Sequence, residues 1–77
     1  MKCTAKLLWD DTIWYSEVLT EKGEDVRLTL ESGSFDALVE RVKVALPEML
    51  QLNFGYTGDI ELLIEAERMT HLKAVAS

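Results

Sequence analysis

The 77-residue chain contains one cysteine, one proline and one histidine, and it has no long apolar run. A single cysteine, Cys3, excludes a disulfide within the chain and a zinc site built on several thiolates. No stretch approaches the about 20 consecutive apolar residues of a membrane-spanning helix. The residues after Met1 also lack the apolar core of a signal peptide. We therefore expect a cytoplasmic protein without a membrane-embedded segment.

Positive charge is scarce as well. Eight lysines and arginines stand against fourteen aspartates and glutamates, which gives a net charge of −6. Binding to nucleic acid or to an anionic membrane depends on neutralising phosphates with basic side chains. The composition therefore opposes direct binding to either, whereas a basic protein partner is compatible with it. The hydrophobic fraction of 48% supports a folded core.

Residues suited to catalysis are few and scattered. His71 is the only histidine, and no neighbouring residue marks an acid or nucleophile for it, so we interpret it as an ordinary surface residue. Cys3 lies among apolar residues, which favours a buried structural thiol. The carboxylates do not have the spacing of a metal-binding loop, and an exposed charged surface explains them better. We expect no enzyme, no cofactor and no metal. The carboxylates considered are Asp10, Asp11, Glu17, Glu31, Glu61 and Glu65.

One segment has helical periodicity. Its apolar residues recur at intervals of three and four, which places them on one face of an α-helix near residues 34–51. Ser34 is a favourable N-cap. Pro47 removes one helical hydrogen bond, but it projects away from the apolar face, so we expect that face to continue to Leu50. The apolar positions are Phe35, Leu38, Val39, Val42, Ala45, Leu46, Met49 and Leu50.

Four segments have strand character. Each combines alternating apolar and polar residues or β-branched and aromatic residues with turn signals at its ends. The order β-β-β-α-β predicts a single α+β domain over residues 1–77. We expect an antiparallel meander of three strands and a fourth strand that pairs in parallel after a right-handed crossover through the helix. The predicted strands lie near residues 2–9, 12–19, 26–31 and 60–66. Trp9 and Trp14 flank the first turn, and we expect them to pack in the hairpin or core and not to stack on a ligand.

One helix covers only one face of such a sheet. The other face should be open to solvent or to a partner, and we assign to it Leu8, Lys6 and Arg27 together with the predicted partner-binding residues. An apolar anchor within a charged rim is typical of a protein-binding surface. The competing interpretation is that the glutamates only keep the protein in solution. The predicted partner-binding residues are Tyr15, Glu17, Glu31, Glu61, Leu63 and Glu65. Because the core is small and the open face and strand edges leave area to cover, we also expect a homodimer or higher oligomer.

Residues 30–53, L-E-S-G-S-F-D-A-L-V-E-R-V-K-V-A-L-P-E-M-L-Q-L-N, resemble the HicB-like branch of small bacterial proteins. The opening Leu8-Trp9-Asp10-Asp11 with Trp14 and the closing segment 60–68 are similar as well, so the resemblance covers nearly the whole chain. It implies the HicB fold, which resembles a reduced ribonuclease H core without catalytic residues. HicB proteins are antitoxins that bind HicA toxins, which are small, basic proteins that cleave messenger RNA.

The resemblance therefore implies a non-catalytic module that neutralises a HicA-like toxin by masking its surface. Many HicB proteins carry a C-terminal ribbon-helix-helix or helix-turn-helix DNA-binding domain and a Pro-Asp-Leu-Pro-Gly-like turn after the second strand. Residues 20–25 lack both prolines of such a turn, and we expect neither the additional domain nor DNA binding. Two alternatives remain. One is a solitary homo-oligomeric regulatory or structural protein with no toxin partner, and the other is a metal-dependent nuclease that retains ribonuclease H-like chemistry.

Overall fold

The computed structural model describes residues 1–68 and 72–75 of the chain. Its elements follow the order β-β-β-α-β, and the predicted α+β fold is confirmed. The elements are β1 (Lys2–Trp9), β2 (Trp14–Thr20), β3 (Glu31–Ser32), α1 (Phe35–Phe54) and β4 (Glu61–Glu67). The prediction for His71 falls outside the described residues.

The four strands form one sheet in the order β3-β2-β1-β4. β1 pairs antiparallel with β2, and β2 pairs antiparallel with β3, so the predicted meander is present. After α1 crosses the sheet, β4 pairs in parallel with β1, as predicted. β1 is therefore an interior strand, and β4 lies at one edge.

α1 begins and ends at residues suited to those positions. The Ser34 side chain accepts a hydrogen bond from the Ala37 N–H at 3.3 Å. The helix runs beyond the predicted end near residue 51 because the left-handed residue that closes it is Gly55, with φ of 64°. Pro47 lies inside the helix without ending it. The apolar stripe continues across it, and the fully buried helix residues are Leu38, Val42, Leu46 and Leu50.

The third strand differs from its prediction. The alternation predicts a strand near residues 26–31, whereas strand pairing within residues 25–32 is confined to β3 and an isolated bridge between Leu19 and Asp25. Arg27 has φ of 64°, and this left-handed conformation is incompatible with an extended strand. The Asp25 carboxylate stabilises the turn by accepting a hydrogen bond from the Arg27 N–H at 2.8 Å. The alternation nevertheless predicted burial correctly, since Val26 and Leu28 are buried.

The Ser16 side chain makes hydrogen bonds to the irregular segment before β3, in place of part of the backbone pairing that a regular strand would make with β2. This side chain is buried in β2, where its hydroxyl donates to the Leu28 carbonyl at 3.1 Å and accepts from the Leu30 N–H at 2.9 Å. The Ser16 backbone N–H also donates to the Leu30 carbonyl at 2.9 Å. One hydroxyl thus satisfies a buried carbonyl and a partly buried N–H of the irregular segment, which explains why a polar residue occupies the core.

The core lies between α1 and one face of the sheet. Cys3 is a free cysteine within it, and burial raises the pKa of its thiol, as expected for a structural residue. Trp14 joins the core through an edge-on contact with Phe35, with ring centroids 5.0 Å apart, and Trp9 contacts Trp14 at 5.3 Å. The Arg68 guanidinium lies 5.1 Å from the centre of the Trp9 ring. Both tryptophans therefore pack as predicted.

Candidate functional site

The register of β1 shows which residues lie on the sheet face away from α1. Cys3, Ala5 and Leu7 are buried on the helix side, so the alternate residues of β1 point to the opposite side. Residues paired directly across neighbouring strands share a face. The face opposite α1, called the open face below, therefore contains all six predicted partner-binding residues. These are Tyr15, Glu17, Glu31, Glu61, Leu63 and Glu65.

Charged residues form two rows across the open face. In the first row, Lys6 of β1 lies between Glu17 of β2 and Glu65 of β4. In the second row, Lys2 lies beside Glu61. Each of these two lysines of β1 therefore lies beside at least one glutamate of a neighbouring strand, β2 or β4.

Apolar side chains occupy parts of the other two rows. Thr4 lies between Leu19 and Leu63, and in the last row Tyr15 and Leu8 lie side by side between Glu31 of β3 and Glu67 of β4. Leu63 is 57% exposed, which makes it the most accessible large apolar side chain of the open face. The alternation of apolar and charged rows gives the open face apolar contact area with carboxylates on either side of it.

Alternation along the strands would have identified several further residues of the open face. Lys2, Thr4 and Leu19 follow from the period of two in β1 and β2, and Glu67 follows once β4 extends past residue 66. Arg27 was assigned to this face by the same reasoning, and that assignment is wrong. Its left-handed backbone interrupts the alternation, and it lines a small groove at the end of α1 with Glu24, Asp25, Asn53 and Phe54.

The open face keeps an excess of negative charge. It carries five carboxylates and two ammonium groups, from Glu17, Glu31, Glu61, Glu65, Glu67, Lys2 and Lys6. Within residues 1–68 and 72–75, the only ion pair joins Lys43 Nζ to Glu40 Oε1 at 3.1 Å, on α1. The glutamates of the open face are therefore not held in contact with an internal cation, and a partner's basic side chains can reach them.

A family model described as a domain of unknown function (DUF1902) matches residues 3–76. The chain belongs to this family. Comparison with the curated proteins gives no match, and comparison with the solved structures gives none. The family description names no antitoxin, so the HicB-like resemblance remains a hypothesis for this DUF1902 domain.

Two structural features are absent from residues 1–68 and 72–75 of the DUF1902 domain. Among these residues, no group of three or more His, Cys, Asp or Glu side chains is placed to hold a metal ion. No helix in the same part of the chain has the length and apolar character needed to cross a membrane.

Proposed function

We propose that this DUF1902 domain is a non-catalytic protein-binding module, similar to a HicB antitoxin, that neutralises a small basic RNA-cleaving toxin by covering its surface. The observation that carries the proposal is the position of Leu63 on the open face, exposed and between Glu61 and Glu65 along β4. An accessible apolar anchor with charges on both sides can exclude water at its centre and bind cations at its rim.

The charge of the domain supports the same partner class. A net charge of −6 complements a basic RNA-binding protein. Such complementarity speeds encounter and fixes orientation more than it increases affinity. Neutralisation in this form needs no metal, no cofactor and no contact with nucleic acid or membrane, since the toxin is inactivated by losing access to its RNA. We place the protein in the cytoplasm, where such a toxin acts.

Co-expression with small, basic HicA-like toxins encoded in the same genome tests the proposal, with growth as the measurement. The wild-type chain should restore growth, and the double variant Glu61→Lys/Glu65→Lys should restore it less. Binding of the purified toxin by this variant should also lose most of its dependence on salt concentration. The matched control is Glu24→Lys/Glu48→Lys, which changes the net charge equally at exposed positions outside the open face.

Two results would contradict different parts of the proposal, the binding site and the neutralising activity. If Glu61→Lys/Glu65→Lys restores growth as well as the wild type does, the open face is not the binding site. If the wild-type chain relieves none of the toxins, neutralisation is wrong for this protein.

A second candidate function is a solitary homo-oligomeric regulatory or structural protein. It is favoured by two exposed apolar side chains on α1, Val44 at 76% and Leu52 at 78% exposure. Leu30, Val44 and Ala45 also line an apolar groove beside the helix. We propose that a second copy of the chain covers this part of α1 in a homodimer or higher oligomer, which leaves the open face free.

A further inference from the structure

β4 has an unpaired edge. The Glu61 N–H donates to the Met1 carbonyl at 2.8 Å, so the N–H and C=O groups of Glu61 face β1. Because successive residues of a strand direct these groups to opposite edges, those of Leu62, Ile64 and Ala66 point away from β1. Within residues 1–68 and 72–75, no strand pairs with that outer edge. Three donors and three acceptors are thus available to an added strand.

The opposite edge of the sheet, at β3, is less suited to pairing with an added strand. β3 has only two residues, and the segment before it is interrupted by the left-handed Arg27. Short and irregular edge strands hinder pairing with other chains. β4, with seven residues, is therefore the long and regular edge of the described sheet.

The two sides of the β4 edge differ in chemistry. On the helix side, a groove of about 230 Å³ lies between α1 and β4, and its lining is mostly apolar. On the open face, three of the four positions of β4 are glutamates. The groove is lined by Lys43, Leu46, Pro47, Ile60 and Leu62, and the open-face positions are Glu61, Leu63, Glu65 and Glu67.

A second copy of β4 is a poor occupant of this edge. In an antiparallel pair of β4 strands, Glu61, Glu65 and Glu67 of both copies would lie on the same face at neighbouring positions. Like charges placed opposite one another destabilise a sheet. The same row of glutamates would stabilise a strand that places lysine or arginine at those positions.

We propose that the outer edge of β4 binds one extended segment of a partner protein in which basic and apolar side chains alternate. The basic residues lie opposite Glu61, Glu65 and Glu67, and the apolar residues point to the groove beside Leu62. Backbone hydrogen bonds to Leu62, Ile64 and Ala66 hold the segment in place. This inference rests on the proposed function, because it specifies which part of a basic partner the domain recognises.

The test uses a capped peptide of about seven residues in which lysine and valine alternate, titrated calorimetrically into the full chain. Ala66→Pro removes an outward N–H and leaves the hydrogen bonds to β1 in place. Ala66→Val is the matched control, since it keeps the N–H and suits a strand. The wild type and Ala66→Val should bind with similar affinity, and Ala66→Pro about tenfold more weakly.

Two altered peptides give the same test on the unchanged protein. One carries N-methyl groups on the alternate amides that would face β4, and the other has glutamate in place of lysine. Each should bind at least about tenfold more weakly than the parent peptide. The result with the N-methylated peptide is decisive even if Ala66→Pro fails to fold.

The proposal is overturned if the wild type does not bind the parent peptide at about 1 mM, or if folded Ala66→Pro binds as well as Ala66→Val. It would also be overturned if the glutamate peptide bound as tightly as the parent peptide. A further contradicting result is self-association of the wild type that Ala66→Pro abolishes, because a second copy would then occupy the β4 edge. The peptide assay requires no toxin, so its outcome does not depend on whether the domain neutralises one. The growth assay separates the two proposals. If Glu61→Lys/Glu65→Lys loses the ability to restore growth and Ala66→Pro keeps it, the open face is the binding site and the β4 edge is not.

Discussion

Replacing Ser16 with alanine tests how the irregular segment before β3 is held on the sheet. Ser16 is 1% exposed, and its hydroxyl bonds both to the Leu28 carbonyl and to the Leu30 N–H. Alanine fits the space but has no hydroxyl. The substitution therefore leaves one acceptor and one donor without this partner in a region that water does not readily reach.

The expected loss is large for a domain of this size. A buried polar group without a partner costs about 1–3 kcal/mol. The Leu28 carbonyl and the Leu30 N–H together should lower the free energy of unfolding by about 2–4 kcal/mol, because the Leu30 end is only partly buried. A chain of 77 residues has a total stability of about 4–12 kcal/mol. Ser16→Ala should thus remove a substantial part of the stability.

Urea denaturation followed by circular dichroism, at one fixed protein concentration, measures this loss. Amide hydrogen exchange should in addition show reduced protection at Leu30. The matched control is Ser32→Ala, since the Ser32 hydroxyl accepts a hydrogen bond from the exposed Ser34 N–H at 3.1 Å. That variant should lose less than about 1 kcal/mol. If Ser16→Ala is within about 0.5 kcal/mol of the wild type, the hydroxyl does not support the segment as argued.

Two further predictions concern the helix. Leu38→Asp places a charge between α1 and the sheet at a position with 0% exposure, so this variant should lack a cooperative melting transition. The control variant Leu72→Asp, at a position with 88% exposure, should melt as the wild type does. A normal melting curve for Leu38→Asp would contradict the packing of α1. Val44→Lys/Leu52→Lys should convert a wild-type dimer or larger oligomer into a monomer in sedimentation velocity. A wild type that stays monomeric throughout the micromolar range would exclude self-association through α1.

The regular elements could be predicted because their signals are local. The apolar stripe of α1, the Ser34 cap and the alternation in β1 and β4 each follow from residues that are neighbours in the sequence. The same alternation placed Tyr15, Glu17, Leu63 and the other predicted residues on one face, since the side a strand residue occupies depends only on its parity. Assignment to one face is thus a consequence of periodicity, whereas partner binding is a separate hypothesis.

The irregular segment could not be predicted because the alternation of its residues is that of a strand and one of the groups that fix its conformation is distant in the sequence. Val26 and Leu28 alternate with polar residues as a strand would, and burial follows that pattern. The conformation depends instead on the Asp25 carboxylate that turns Arg27, and on Ser16 in another strand. A serine in an amphipathic strand has no feature that marks it as the partner of a segment twelve residues away.

The glutamates of β4 determine which chains can pair favourably with the outer edge of the sheet. Edge strands are commonly protected by charged side chains, which make pairing with another chain unfavourable. Here the protection depends on the sign of the approaching charge. Glu61, Glu65 and Glu67 would lie close to those of a second β4, which disfavours that pairing, whereas the proposed self-association uses the uncharged Val44 and Leu52 on α1. The glutamates do not repel a basic strand, which gains an ion pair at each glutamate and backbone hydrogen bonds along the edge. In our proposal, the charge that disfavours pairing of β4 with a second copy is therefore also the charge that selects a basic partner strand.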